Sequence, residues 1–159
     1  MPDLRTLFVG LGSEDVATYV QSGNVIFKSP ADSPAELIHK IEERISRDLG
    51  LNVTVVLRTK AQLARILAGN PFAKNGREPA NLHVTFLADK PERGRVSELE
   101  AGQFEPEEFR IVGHEIYLHC PNGYGRTTLS NAYFEKQLNV AATTRNWKTV
   151  TKLAELANA

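Results

Sequence analysis

The apolar residues of this 159-residue chain change their spacing several times, from helical to strand-like periods. This alternation excludes an all-helical or an all-β fold. Residues 4–11 carry apolar side chains at helical spacing, and the β-rich runs at 16–20 and 24–27 predict a hairpin. Ser33, with Glu36 three residues later, predicts the start of the next helix.

The rest of the chain continues this mixture. The continuous apolarity of residues 53–57 predicts a strand covered on both faces, and Thr59 is expected to cap a helix that extends through Leu67. In the second half we expect strands at 82–87, 109–112 and 115–120, helices at 92–100, 127–138 and 146–156, and a short extended piece at 140–143.

Both halves therefore share the order helix, hairpin, helix, strand, and the second half has one more strand in front. The order βαββαβ is ferredoxin-like. We predict an α+β fold of duplicated ferredoxin-like halves, the first missing its opening strand. The first half covers residues 1–78 with a connecting helix, and the second covers 79–159 with a C-terminal helix, packed as one compact unit. The strand edge that the missing strand leaves unpaired would allow a homodimer.

Composition excludes several classes of protein. Nineteen basic residues balance nineteen acidic ones, which argues against a protein that coats nucleic acid. No apolar run reaches the roughly eighteen residues of a membrane span. The single cysteine excludes a disulfide framework and fits a cytoplasmic location. His83, His114 and His119 lack metal-ligand spacing, so we expect no metal, and we expect no cofactor.

A glycine-containing segment, Pro-Asn-Gly-Tyr-Gly-Arg at 121–126, stands between a predicted strand and a helix expected to open at Thr127. Glycines let backbone N–H groups converge, and a helix N-terminus carries partial positive charge. The planar guanidinium of Arg126 can hold two anionic oxygens. These features together predict an anion site. In the purely architectural alternative, the glycines only form the turn and Thr127 only caps the helix.

A second predicted helix start, at residues 143–148, has the same ingredients. From residue 121 onward the chain carries five basic residues against two acidic ones. If Arg126 and Arg145 face one another, they form a pocket suited to a phosphate-bearing or other anionic small ligand. In the plainer alternative, Thr144 is an ordinary helix cap. The candidate ligand-binding residues are Asn122, Gly123, Tyr124, Gly125, Arg126, Thr127, Thr144, Arg145, Asn146 and Lys148; no catalytic residue is assigned.

Two other functions remain open. The spacing from Cys120 to Arg126, preceded by His119 and followed by Thr127, matches the loop of a cysteine phosphatase. Against it, Cys120 is in phase with the apolar residues of its strand and is expected to point into the core. A sheet face carrying His83, Thr85, Tyr117 and His119 would be an RNA-binding platform.

Five stretches are distinctive: residues 18–27 (TYVQSGNVIF), 70–72 (NPF), 82–87 (LHVTFL), 117–126 (YLHCPNGYGR) and 142–150 (ATTRNWKTV). Together they resemble the bacterial domain-of-unknown-function family 1697. The resemblance implies a cytoplasmic α+β protein with two ferredoxin-like halves and no established activity. Members of that family usually begin with a strand and a basic glycine-containing loop, which would lie before Met1, and often carry tyrosine at the position of Cys120.

Overall fold

A computed structural model describes residues 2–12, 14–19, 24–28 and 33–157 of the chain. It contains helices and antiparallel sheets, so the fold class is α+β. The chain divides into two compact units. Residues 58–152 form one unit, and the described residues on either side of that range form the other. The division falls after Leu57, whereas the predicted boundary lies after residue 78.

The first unit contains the predicted helix, hairpin and helix. Its elements are α1 (Pro2–Gly10), β1 (Glu14–Tyr19), β2 (Asn24–Lys28) and α2 (Pro34–Leu49). The strands β1 and β2 pair antiparallel, with Ala17 opposite Ile26; the residues predicted to form the connecting turn lie outside the described part of the chain. Buried side chains of α1, β1 and α2 form the core of this unit: Leu7, Phe8, Val16, Ile41 and Ile45.

Helix α2 begins and ends where its sequence predicts. The Ser33 hydroxyl accepts a hydrogen bond from the Glu36 amide at 3.2 Å, and Pro34 occupies the first helical position. Gly50 ends the helix with a φ of 68°, a left-handed conformation that favours glycine. Local side-chain chemistry is therefore enough to define this helix.

The prediction of a strand at residues 53–57 is wrong, because residues 50–59 form neither helix nor strand. The side chain of Val53 is 44% exposed and that of Thr54 is exposed as well, so this run is not covered on both faces. Its backbone is bonded by a side chain instead of a neighbouring strand: the Val55 amide donates to Oε2 of Glu42 at 2.7 Å.

The second unit contains most of the regular structure. Its elements are α3 (Lys60–Ala68), α4 (Pro71–Lys74), β3 (Leu82–Leu87), α5 (Arg93–Glu100), β4 (Glu108–Val112), β5 (Glu115–His119), α6 (Asn131–Leu138), β6 (Ala142–Asn146) and α7 (Trp147–Ala157), the last continuing past Lys152. The four strands form one antiparallel sheet in the order β4-β5-β3-β6. From β3 to β6 the chain runs strand, helix, strand, strand, helix, strand, the order predicted for this region.

Both faces of this sheet are covered. Helices α5 and α6 pack on one face, where Leu99 and Phe134 belong to the same buried cluster as Leu118 of β5. On the other face, the Tyr117 hydroxyl donates to the carbonyl of Ile66 in α3 at 3.0 Å. None of the helices in the described residues is long and apolar enough to cross a membrane.

Two boundaries in the second unit differ from the sequence predictions. Helix α6 begins at Asn131, four residues later than predicted, with Ser130 as its cap. The hydroxyl of Thr127 accepts instead from the Leu129 amide, two residues on, and so stabilises a turn. The extended piece predicted at 140–143 is strand β6, which lasts until Asn146 and places the start of α7 after it.

Candidate functional site

The glycine-containing segment forms a tight turn that begins where β5 ends. Gly123 has a φ of 90°, which favours glycine, and its amide donates to the Cys120 carbonyl at 3.0 Å. Residues Tyr124–Arg126 then form a 3-10 turn. The amides of Arg126 and Thr127 donate within the turn, to Gly123 at 3.4 Å and to Tyr124 at 3.2 Å. Three amides of the predicted anion site, those of Gly123, Arg126 and Thr127, are therefore already bonded.

Tyr124 anchors the turn to the sheet. Its ring stacks on His83 of β3, with ring centroids 4.8 Å apart, and its hydroxyl accepts from the Asn131 amide at 2.7 Å. Burial lowers the pKa of His83, against a smaller opposing effect from the backbone of Asn81, so this imidazole is neutral at pH 7. The ring contact and the hydrogen bond of Tyr124 fix the position of the turn, so the turn is preorganised.

The outer side of the turn is open and cationic. Asn122, Gly125 and the Arg126 side chain are exposed. A Cβ built on Gly125 would meet nothing within 4 Å, so the space beside this residue is open to a ligand. Among the described residues, nothing accepts a hydrogen bond from the amides of Asn122 and Gly125.

The structure brings part of the second predicted segment towards this turn. Asn146 of β6 is directly opposite His83 of β3, the residue on which Tyr124 stacks. Asn146 also accepts from the Thr149 amide at 2.8 Å, so Asn146, and not Thr144, caps α7. Lys148, in the first turn of α7, is exposed.

Thr144 and Arg145 have structural partners. The Thr144 hydroxyl donates to Oδ1 of Asn131 at 3.0 Å and lies 2.8 Å from the Thr85 hydroxyl. Arg145 donates to the Thr143 hydroxyl at 2.7 Å and to the Thr144 carbonyl at 2.9 Å, and burial lowers the pKa of its guanidinium. Because strand residues alternate, Arg145 leaves β6 on the face opposite Thr144 and Asn146.

Cys120 is in the core, as its phase on the strand predicts. Its side chain is 0% exposed, and burial raises the pKa of the thiol to about 11, with a smaller opposing effect from Thr127 and a further increase from the charge of Glu107. The thiol is therefore protonated at pH 7, and the α-helix that follows it along the chain, α6, begins only at Asn131. This geometry is the reverse of what a cysteine phosphatase requires.

The predicted RNA-binding face does not exist, because the strand register separates its members. His83 is opposite Leu118, and Val84 is opposite Tyr117. Residues directly opposite on neighbouring strands share a face, so His83 lies on the α5–α6 side and Tyr117 on the α3–α4 side. The alternation of side chains along each strand correctly predicts which residues of that strand share a face. It does not predict which face of one strand lies beside which face of the next.

Two other polar features involve residues outside the turn. His119 Nδ1 is 3.1 Å from Oε1 of Glu108, and Arg77 contacts the same oxygen at 3.1 Å. Within the described ranges, no three His, Cys, Asp or Glu side chains are placed to hold a metal ion. The first unit has a shallow cavity of about 570 Å³ beside α2, lined by charged and polar residues that include Glu42 and Arg47.

Sequence reasoning missed two residues of the site. The sequence predicts His83 for the RNA-binding face, because its contact with Tyr124 depends on how the turn folds back. No sequence pattern distinguishes Asn131, because its role is to link the turn to β6. Its side-chain amide donates to the Ala142 carbonyl at 2.9 Å.

The fold and the turn define a class: an α+β protein with an open, cationic glycine-containing turn at the end of an antiparallel sheet. Residues 1–117 match the family described as "Protein of unknown function (DUF1697)", and the chain belongs to this family. The match ends before the turn. No curated protein matches the chain.

A solved structure with the same fold is among those that match this chain. It is the conserved bacterial protein SP0830 from Streptococcus pneumoniae, with a TM-score of 0.76 over 99% of this chain and 88% of that chain. The two sequences are 23% identical, a level at which the similarity supports the fold alone.

Proposed function

We propose that this protein binds a phosphate-bearing or other anionic small ligand at the turn formed by residues 122–127. The observation that carries the proposal is the exposed edge of the turn, where Arg126 stands beside the open space at Gly125. A guanidinium and free backbone amides are the groups that bind phosphate oxygens in proteins. Because Tyr124 holds the turn in place, little conformational freedom would be lost on binding.

The second segment would contribute from its exposed end. Lys148 supplies a further positive charge. Asn146 of β6 is directly opposite His83 of β3, the residue on which Tyr124 of the turn stacks. Thr144 and Arg145 would act by holding β6 in position and by adding to the local positive potential, since their polar groups already have partners. The proposal concerns binding; it assigns no reaction and no catalytic residue.

We also propose that the fold is a duplicated ferredoxin-like arrangement. Support comes from the second unit, whose antiparallel order β4-β5-β3-β6 and alternating helices are those of a ferredoxin-like sheet. In the described part of the first unit, the corresponding elements are α1, β1, β2 and α2.

A backbone-amide NMR titration with inorganic phosphate and with nucleoside monophosphates tests the ligand proposal. We expect shifts at residues 122–128 and 146–148. Gly125→Ala should abolish them, because the methyl group would fill the ligand space while meeting no atom of the folded chain. Gly94→Ala is the matched control: Gly94 also has nothing within 4 Å of a built Cβ, and it lies on α5.

Arg126→Ala should weaken phosphate binding about tenfold or more, because a charge-assisted hydrogen bond contributes roughly 1.5–3 kcal/mol. Arg93→Ala, which removes another exposed arginine, on α5, should leave the affinity unchanged. Equal affinity in the Gly125→Ala variant, or no shifts at millimolar phosphate in the parent protein, would refute the proposal.

A further inference from the structure

The two edges of the four-stranded sheet, β4 and β6, differ in how their backbone groups are bonded. In an antiparallel ladder, every second residue of an edge strand directs its N–H and C=O away from the sheet. Natural proteins usually block such outward groups, since an open edge pairs readily with another strand. The bonding partners of each edge therefore indicate which one is available.

Side chains block part of the edge at β6. The Ala88 amide donates to the Ala141 carbonyl, which places the outward groups of β6 at Ala142, Thr144 and Asn146. The Ala142 amide donates to Glu135 at 2.9 Å, and the Ala142 carbonyl accepts from Asn131 at 2.9 Å. The side chain of Arg145 covers the Thr144 carbonyl.

The edge at β4 has no such protection. A two-residue turn joins Val112 to Glu115, with Gly113 at a φ of 60°, so Val112 and Glu115 form the closing hydrogen-bonded pair. Alternation then directs the N–H and C=O of Phe109 and Ile111 outward. In the described part of the chain, neither residue has a hydrogen-bond partner on that side. The side chains of both are only partly buried.

We propose that β4 pairs antiparallel with β4 of a second copy of this chain, about a two-fold axis at Phe109. The two Phe109 residues would then exchange both hydrogen bonds, and each Ile111 amide would donate to the other copy's Glu107 carbonyl. This register is one of three that satisfy the outward groups; the other two place Arg110 opposite Arg110 or opposite Val112.

The charges on β4 favour this register over the other two, and they favour a second copy of the chain as the partner. Glu108 and Arg110 lie two residues apart on one face of β4. Arg110 is exposed, and Glu108, whose carboxylate also contacts Arg77 and His119, has a side chain that is 40% exposed. With the axis at Phe109, each Arg110 is directly opposite the other copy's Glu108, in a non-hydrogen-bonded pair where side chains come closest. An opposite-charge pair forms twice, which is the pattern expected for self-association.

The strand contact is small beside a standard interface of about 1,600 Å², so we expect a dissociation constant on the order of micromolar or weaker. Sedimentation velocity over a wide concentration range should show a monomer–dimer equilibrium. Arg110→Glu should weaken the dimer about tenfold, because it places like charges opposite each other twice. Arg93→Glu makes the same charge change on α5 and should have no effect.

Amide hydrogen exchange supplies a second, residue-specific measurement. The Phe109 and Ile111 amides should become protected as the protein concentration rises, whereas the Arg110 amide, which bonds inward to β5, should be protected at every concentration. A protein that stays monomeric, or a dimer with unprotected Phe109 and no response to Arg110→Glu, overturns the proposal. Protection of Phe109 only in the presence of a different protein would assign the edge to a foreign strand and would also overturn it.

Discussion

At the scale of single residues, Cys120 shows how burial determines the reactivity of a thiol. Its spacing to Arg126 fits a nucleophile loop, but the side chain is fully buried and burial raises the pKa of its thiol to about 11. Tyr117 is a parallel case, since burial, followed by the charge of Glu115, raises its pKa to about 12. Both groups are neutral in the folded protein at pH 7 and are used for packing.

The raised pKa of Cys120 predicts a loss of stability in alkali. The ordinary pKa is 9.0, so between about 9 and 11 the unfolded chain loses this proton while the folded chain keeps it. The free energy of unfolding should fall by about 1.4 kcal/mol from this residue by pH 10.

Urea unfolding at pH 7 and at pH 10 measures this effect. Cys120→Ala should be less stable than the parent at pH 7, because it leaves a small cavity, yet it should lose less stability between the two pH values. An equal loss in both proteins would contradict the raised pKa. The tyrosine contribution is the same in both proteins and cancels in the comparison.

At the scale of elements, helix starts were predicted well where a single side chain defines them. Ser33 and Thr59 cap α2 and α3 as expected, and Thr59 forms a full capping box with Gln62. The start of α6 was predicted at Thr127 because several hydroxyl residues precede this helix. Only the folded turn shows that Ser130 caps the helix, because Tyr124 reaches forward to the Asn131 amide.

Ser130→Ala should therefore lower the free energy of unfolding by about 1 kcal/mol, the usual value for a lost helix cap. The Ser130 hydroxyl accepts from the Tyr133 amide at 3.2 Å, and alanine cannot replace that acceptor. Thr128→Ala, at an exposed position in the same segment, is the control and should change stability little. A larger loss for Thr128→Ala than for Ser130→Ala would place the cap elsewhere.

At the scale of the whole molecule, charge is balanced overall and uneven locally. Residues 89–115 carry eight acidic and four basic residues, whereas residues from 121 onward carry five basic and two acidic ones. A balanced chain lacks the broad positive surface that drives nucleic-acid binding. The aromatic residue expected to stack on bases, Tyr117, is buried beneath α3.

We therefore expect no retention of a short single-stranded RNA in a filter-binding assay at moderate salt. This result would be compatible with binding in the phosphate titration, since a site for one anion can exist without a surface for a polyanion. RNA binding whose affinity falls steeply with salt would contradict this prediction.

Patterns along the chain were enough to predict the class of fold, most of the helices and strands, and the burial of Cys120. Each of these depends on spacing along the chain or on a cap within a few residues, as Ser33, Gly50 and residues 82–87 illustrate. Three features follow only from the folded structure: which residues of neighbouring strands share a face, the absence of a strand at residues 53–57, and the stacking of Tyr124 on His83. Such contacts join residues far apart in the chain, and their energies depend on register and packing, which no local pattern contains.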